Sequence, residues 1–234
     1  MIATLVGNDS YPDFAEPPRF APGHLTYILY DEVCSSPKPP EFRAFGKIPR
    51  DFRDICITEK IDGTNGCVVI GALDEDGDAL VHVQSRKRII TPDDDNFGFA
   101  RWVYDYADEL VDRLGPGHHF GEWFGRGIQR GYGLRGRRFA LFNTGRWTRH
   151  EDRATPERMY IPADACGGTL DVVATLYEGP NEMDQVRAAL RILGEYGSQQ
   201  VPGFPQPEGL IVYHTAGGHY FKVTLDHDEG KGER

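Results

Sequence analysis

From Ile55 onward the apolar residues fall in short runs separated by turn residues, the pattern of strands rather than helices. Residues 55–58, 67–70 and 79–83 read as strands. The run Asp74-Glu75-Asp76-Gly77-Asp78 between the last two has the composition of a hairpin loop. The period then changes. Phe99, Trp102, Val103, Tyr106, Leu110 and Leu114 recur at helical spacing, predicting a helix over 97–114 with caps at 93–96 and a core-facing stripe that includes Trp102. Residues 118–136 are glycine-rich and read as mobile, apart from a short block around Glu122. Strands follow at 138–143 and 170–177. A second helix is predicted over 182–196, capped by Asn181, with Met183, Val186, Leu190 and Leu193 facing in. A proline loop at 202–207 leads into a closing strand pair, 209–214 and 220–225. Residues 1–45, rich in Pro, Tyr and Phe, hold one strand-like run (25–30) and are expected to form an irregular lead-in that packs on a main domain, 46–234. The layout predicts an α+β fold, with helices covering antiparallel sheets.

Composition narrows the classes. Among 234 residues, 39% are hydrophobic and 26% charged, as in a soluble globular protein. No run approaches the ~20 apolar residues of a membrane span, and the N-terminus lacks a basic segment followed by an apolar one. Cys34, Cys56, Cys67 and Cys166 lack metal-ligand spacing and suit a reducing cytoplasm. A net charge of −10 disfavours a nucleic-acid partner on average. Its distribution reverses that locally. Arg126, Arg130, Arg135, Arg137, Arg138, Arg146, Arg149, Arg153 and Arg158 face only Glu151, Asp152 and Glu157 in the same stretch, while acids gather at 74–78, 93–95 and 226–229. The stretch is either a solvated face or a cradle for a phosphate backbone. The arginine-rich usage fits a bacterial or phage source.

Only six of the 26 basic residues are lysines, and one of them, Lys60, ends an apolar run directly before a turn. A lysine amine can lose its proton and attack phosphorus or carbon, which a guanidinium cannot. Gly63 would let the backbone approach a bulky phosphate or nucleoside, and Asp62 would share the lysine's face. The competing reading is an ordinary surface lysine at a strand end.

The segment Glu59-Lys60-Ile61-Asp62-Gly63-Thr64-Asn65-Gly66 resembles the nucleotidyl-transfer motif of covalent nucleotidyltransferases. Its Thr64-Asn65 ending resembles ATP-dependent RNA ligases of the T4 RNA ligase 2 and RNA-editing type. Further blocks follow in the family's order: Ser85-Arg86, Phe120 to Gly125 around Glu122, Phe139 to Asn143, Glu208 to Val212, and Phe221-Lys222-Val223. Two positions depart from the pattern. Asn143 stands where the family has Asp, and Lys222 is flanked by Tyr220 and Thr224 where a second lysine is expected.

The resemblance implies a nucleotidyltransferase fold of two antiparallel sheets with ATP between them, lacking a C-terminal OB domain. It implies Lys60 as the nucleophile forming lysyl-AMP, with Asp62 and Lys222 assisting. Glu59 would accept the adenine amine, Asn65 and Arg86 would contact ribose or phosphate, and Glu122 would bind the ribose. Phe142 would stack on adenine unless it is core, Lys222 would grip the α-phosphate, and Glu208 with Asp62 would hold Mg²⁺ or Mn²⁺. Arg126, Arg130, Arg135, Arg137 and Arg138 would carry the RNA. The expected substrate is RNA with 5′-phosphate and 3′-hydroxyl ends. Without an appended domain, sealing is expected to be weak, or to need a partner protein, while self-adenylylation persists. The rival readings are a DNA ligase or capping-type nucleotidyltransferase, and a non-catalytic nucleotide- or RNA-binding relative. His118 and His119, adjacent on a strand, face opposite ways and are not expected to chelate.

Overall fold

The computed structural model describes residues 44, 46–48, 50–72, 75, 79–149 and 157–225. The chain divides into two compact units, Met1–Lys47 and Ile48–Arg234, and the second holds the elements below. The lead-in over 1–45 with its run at 25–30 lies, apart from Ala44, outside the described residues. So do the 74–78 loop (apart from Glu75), Cys34, Arg153 and the acidic 226–229 segment.

Strand β1 (Asp54–Lys60) sets the organisation, because its two faces serve different purposes. Ile55, Ile57 and Glu59 are buried on one face, while Cys56, Thr58 and Lys60 are half-buried on the other. β1 lies inside a four-stranded antiparallel sheet with β10 (Thr175–Pro180) on one side, and β11 (Gly209–His214) and β12 (His219–Thr224) on the other. Helix α3 (Met183–Tyr196) covers the Ile55 face, packing Val186, Ala189 and Leu193 against Ile55, Ile57, Leu210 and Val212.

A six-stranded sheet holds, in order, β4 (Ile89–Ile90), β3 (Val81–Ser85), β2 (Thr64–Ile70), β5 (Gly117–Gly125), β6 (Arg137–Leu141) and β9 (Leu170–Val172). Helices α1 (Phe99–Asp105) and α2 (Ala107–Leu114) cover one of its faces around Phe99, Trp102, Trp123 and Phe139. These aromatic rings pack with centroids 4.8–5.8 Å apart, so Trp102 is core, as its helical spacing predicts.

Several expectations are corrected. The sheets are not purely antiparallel, since β9 joins β6 in parallel and the short pair β7 (Trp147–Arg149) and β8 (Met159–Ile161) is also parallel. The single helix over 97–114 is two helices, broken at Tyr106, whose φ of −116° and ψ of 23° leave the helical region. Asp108 and Glu109 then suit the fresh N-terminus of α2. Asp95, within the expected cap region, accepts the free amides of Ala100 and Arg101. Asn181 does not cap α3. Its amide donates instead to Asp51, and Met183 points to solvent. The run at 170–177 is two strands in different sheets: Val173 still bonds to Leu141 of β6, and Ala174 accepts the amide of Glu59 in β1. Two short links, 61–63 and 173–174, thus join the two sheets. At the outer edge of the smaller sheet, β12 exposes Tyr220 (70%) and Phe221 (59%) on opposite faces, with Lys222 also exposed.

The helix-free faces of the two sheets approach each other. Cys56 on one face lies 3.4 Å from the hydroxyl of Thr144, just beyond β6. Gly66 shows how closely the larger sheet packs on α1, because a Cβ there would run into the Phe99 ring. Phe99 is buried among other aromatics and has little room to retreat. Gly66→Ala is therefore expected to lower stability by about 1–3 kcal/mol through overpacking, seen as a lower urea midpoint with an unchanged slope.

Candidate active site

Lys60 ends β1 on the helix-free face, and its amine is paired with the carboxylate of Glu208, the residue preceding β11. Both side chains are about four-fifths buried. Strand pairing makes this meeting possible, since Lys60 stands opposite Gly209 in the register of β1 and β11.

The turn after Lys60 is fixed from the larger sheet. The Gly63 amide donates to Glu122 Oε1 at 3.2 Å, and Asn65 Nδ2 donates to Glu122 Oε2 at 3.1 Å. Asn65 and Glu122 are direct cross-strand partners in β2 and β5. A Cβ on Gly63 would lie 2.5 Å from the Trp123 carbonyl and 2.8 Å from Phe124 Cβ. The glycine is thus needed for the close approach of this turn to the β5 backbone. Glu122 is only 8% exposed. Burial pushes its carboxyl up to about 8, against the pull of Lys60 and the Gly63 amide, with Glu208 and Asp62 adding to the rise.

Glu59 corrects its expectation. It points away from Lys60 into the core and is 1% exposed. Ser198 Oγ donates to Oε1 at 2.6 Å, and the amides of Gln199 and Gln200 donate to Oε2 at 2.7 and 2.8 Å. Burial raises this carboxyl and these three bonds oppose the rise. A strand alternates its faces, so a residue beside Lys60 cannot share its face, and the buried side chain is closed to an adenine amine.

The remaining candidates fall at different places. Asp62 accepts Arg130 Nε at 3.1 Å, and its own amide donates to the Tyr132 hydroxyl at 2.8 Å. Arg86 is exposed just past β3, with no ion-pair partner among the described residues. Phe142 follows β6, is 40% exposed and is not core; its amide donates to the carbonyl of Phe120. Lys222 stands opposite Ile211 on β12, on the same face as Lys60. Tyr220 and Thr224 share that face, so this edge offers one lysine. Asn143 shapes a turn: its Oδ1 accepts the Arg146 amide at 3.1 Å. His119 is buried with a ring nitrogen 2.9 Å from the Gly115 carbonyl, while His118 stacks on Phe120.

The arginine stretch is not one continuous cradle. Arg137 donates to the Arg126 and Phe97 carbonyls, Arg149 is buried against Asp171 and the 199–200 backbone, and Arg158 pairs with Glu178. Arg126 and Arg135 are exposed and Arg138 is half-buried, all three without ion-pair partners among the described residues. The glycine-rich stretch after Glu122 is anchored instead of mobile. Tyr132 is buried at φ 52°, packed on Phe124 and Phe204. One aromatic among Gly127, Gly131, Gly133 and Gly136 was the available sequence signal for an anchor.

Asp62, Glu122 and Glu208 are the carboxylates around Lys60. Among the described residues no group of three or more His, Cys, Asp or Glu side chains could hold a metal ion. Asp62 and Glu208 already have basic partners. The donor set fits a hard cation that keeps one or two carboxylates and takes its remaining oxygens from phosphate and water. It does not fit an all-protein cage.

A protein-family model described as RNA ligase matches residues 53–224. No curated protein matches the chain. Similar solved structures include an apo alanine-substituted Naegleria gruberi RNA ligase R4a, with TM-score 0.48 and 19% identity over 74% of this chain and 50% of that one. A variant of the Naegleria gruberi ligase with ATP and Mn has TM-score 0.48 and 19% identity over 75% and 51%. The ligase with PPi has TM-score 0.46 and 20% identity over 74% and 50%. The chain spans about half the length of these solved chains.

The raised Glu122 carboxyl gives a pH prediction. Between its ordinary 4.5 and about 8 the folded form keeps a proton that the unfolded chain has released. Stability therefore falls as pH rises across that window. Glu122→Gln removes the titration, and Asn65 can turn its amide to suit. Urea unfolding from pH 5 to 8.5 is expected to show a loss on the order of a few kcal/mol in the wild type and a flatter profile in the variant. Parallel profiles would contradict this.

Proposed function

The chain belongs to the RNA ligase family, and from that premise we propose that it is an ATP-dependent RNA ligase working through a lysyl-AMP on Lys60. The observation that carries the reading is the meeting of Lys60, Glu208 and the Glu122–Asn65 pair between the two sheets. An amine attacking phosphorus must first give up its proton, and Glu208 is the acceptor in contact with it. Lys60 Nζ then forms a bond to the α-phosphorus of ATP. The bond from that phosphorus to the bridging oxygen breaks, and pyrophosphate leaves with the electron pair. The demands are in-line geometry and neutralised charge more than covalent chemistry by the protein.

In the second step an oxygen of the RNA 5′-phosphate attacks the same phosphorus, and the lysine amine leaves. A 3′-hydroxyl then attacks the activated 5′-phosphate, a phosphodiester forms and AMP departs. Glu122, with Asn65, is proposed to hold the ribose, and Phe142 to stack on the base. Lys222, on the Lys60 face, would neutralise the α-phosphate, and Arg86 would meet the 5′-phosphate. Arg126, Arg135 and Arg138 are the arginines left to contact the RNA backbone. A divalent ion bound with the triphosphate, with Glu208 and Asp62 as its candidate carboxylates, would supply charge neutralisation.

Intact-mass measurement after incubation with ATP and Mg²⁺ is expected to show a gain of about 329 Da, one AMP by formula, that is acid-stable. Lys60→Ala should show none. Glu208→Gln should slow adduct formation by about 10²-fold or more, the scale of a lost proton acceptor. An unmodified wild type, in a preparation shown not to be adenylylated beforehand, would count against the reading.

A further inference from the structure

Arg130 belongs to none of the family-like blocks, yet its guanidinium joins the two segments on which the Lys60–Glu208 pair depends. Nε donates to Asp62 Oδ2 at 3.1 Å, and a terminal nitrogen donates to the Gln206 carbonyl at 3.1 Å. Asp62 lies two residues after Lys60, and Gln206 two before Glu208. The same loop takes a second hold on each side. The Tyr132 hydroxyl accepts the Asp62 amide at 2.8 Å, and the Tyr132 ring packs 4.7 Å from that of Phe204, two residues before Gln206. A bulky residue at positive φ persists only where its surroundings over-determine it, and Tyr132 is buried against Phe124 and Phe204. The loop is therefore a fixed point against which both segments are held.

We propose that Arg130 is a positioning residue that keeps the Lys60 turn and the Glu208 segment in register, so that the amine and its carboxylate partner meet in attacking geometry. The proposal rests on the reading of Lys60 as the nucleophile. A guanidinium suits the task because its rigid fork can serve two acceptors on different segments at once, whereas an ammonium is a point charge on a flexible stem. Misplacing a reacting group by about 1 Å can cost about 10²-fold in rate, so a clamp two residues from each partner is close enough to matter.

The test uses the full chain with Arg130→Ala and Arg130→Lys. Single-turnover adenylylation of Lys60 is followed as a function of ATP, beside thermal melts and amide hydrogen exchange. For Arg130→Ala the maximal rate is expected to fall about 10- to 100-fold, with half-saturating ATP within about threefold and the melt little changed. Arg130→Lys should recover part of that rate. Exchange should quicken together at residues 61–63 and at Gln206 and Glu208, while the β1–β11 amides stay protected. An unchanged maximal rate in Arg130→Ala overturns the proposal, and so does a rise in half-saturating ATP alone, which would make Arg130 a phosphate contact. Unaltered exchange at either segment also overturns it, whatever the rates. If the wild type forms no adduct but the exchange changes appear, the reading of the reaction fails and the clamp stands.

Discussion

Beside its candidate nucleophile this chain buries a carboxylate. Glu59 is held by Ser198, Gln199 and Gln200, and Gln200 also reaches the other sheet. The Gln200 side chain accepts the Ala174 amide and donates to Asp171 and to the Val172 carbonyl. Arg149 donates to the Gln199 and Gln200 carbonyls and pairs with Asp171. A buried charge without partners is strongly unfavourable, and a fully satisfied network specifies one arrangement. The two sheets are thus fastened along one line by polar groups that tolerate little displacement. The opposite face of β1 is left to present Lys60.

That fastening explains the division of labour along β1. Alternation commits Ile55, Ile57 and Glu59 to the core and the sheet junction, so Lys60 stands on a strand fixed from behind. From the front, the turn after it is held by Glu122 through Gly63 and by the glycine-rich loop through Asp62. A nucleophile that must meet phosphorus in line gains from such support, because phosphoryl transfer depends heavily on positioning.

The legible parts of the chain were those whose information is local. The strands around Lys60 and the Trp102 stripe show in spacing alone, and the ordered blocks show as a resemblance to the RNA ligase family. What sequence could not show depends on partners far along the chain. Glu59 reads as an ordinary neighbour of Lys60 until Ser198 to Gln200 are seen to fold over it. Arg137 and Arg149 count as charge in a composition but are spent on backbone carbonyls and Asp171. The glycines at 125–136 suggest looseness, yet Tyr132 pins them. The break at Tyr106 and the sheet change at 173–174 are invisible to periodicity, because apolar spacing continues through both.

β12 has a second property besides carrying Lys222. Among the described residues it pairs only with β11, so its outer amides and carbonyls lack strand partners. Tyr220 and Phe221 put aromatic surface on both sides of that free edge. Such an edge is a template for another copy of itself, and a charge in its middle is a common safeguard against that pairing. Lys222 is that charge here. Neutralising it would remove a charge from the Lys60 face and also unguard the edge, so any change in such a variant would have to be separated from self-association before it is read as chemistry.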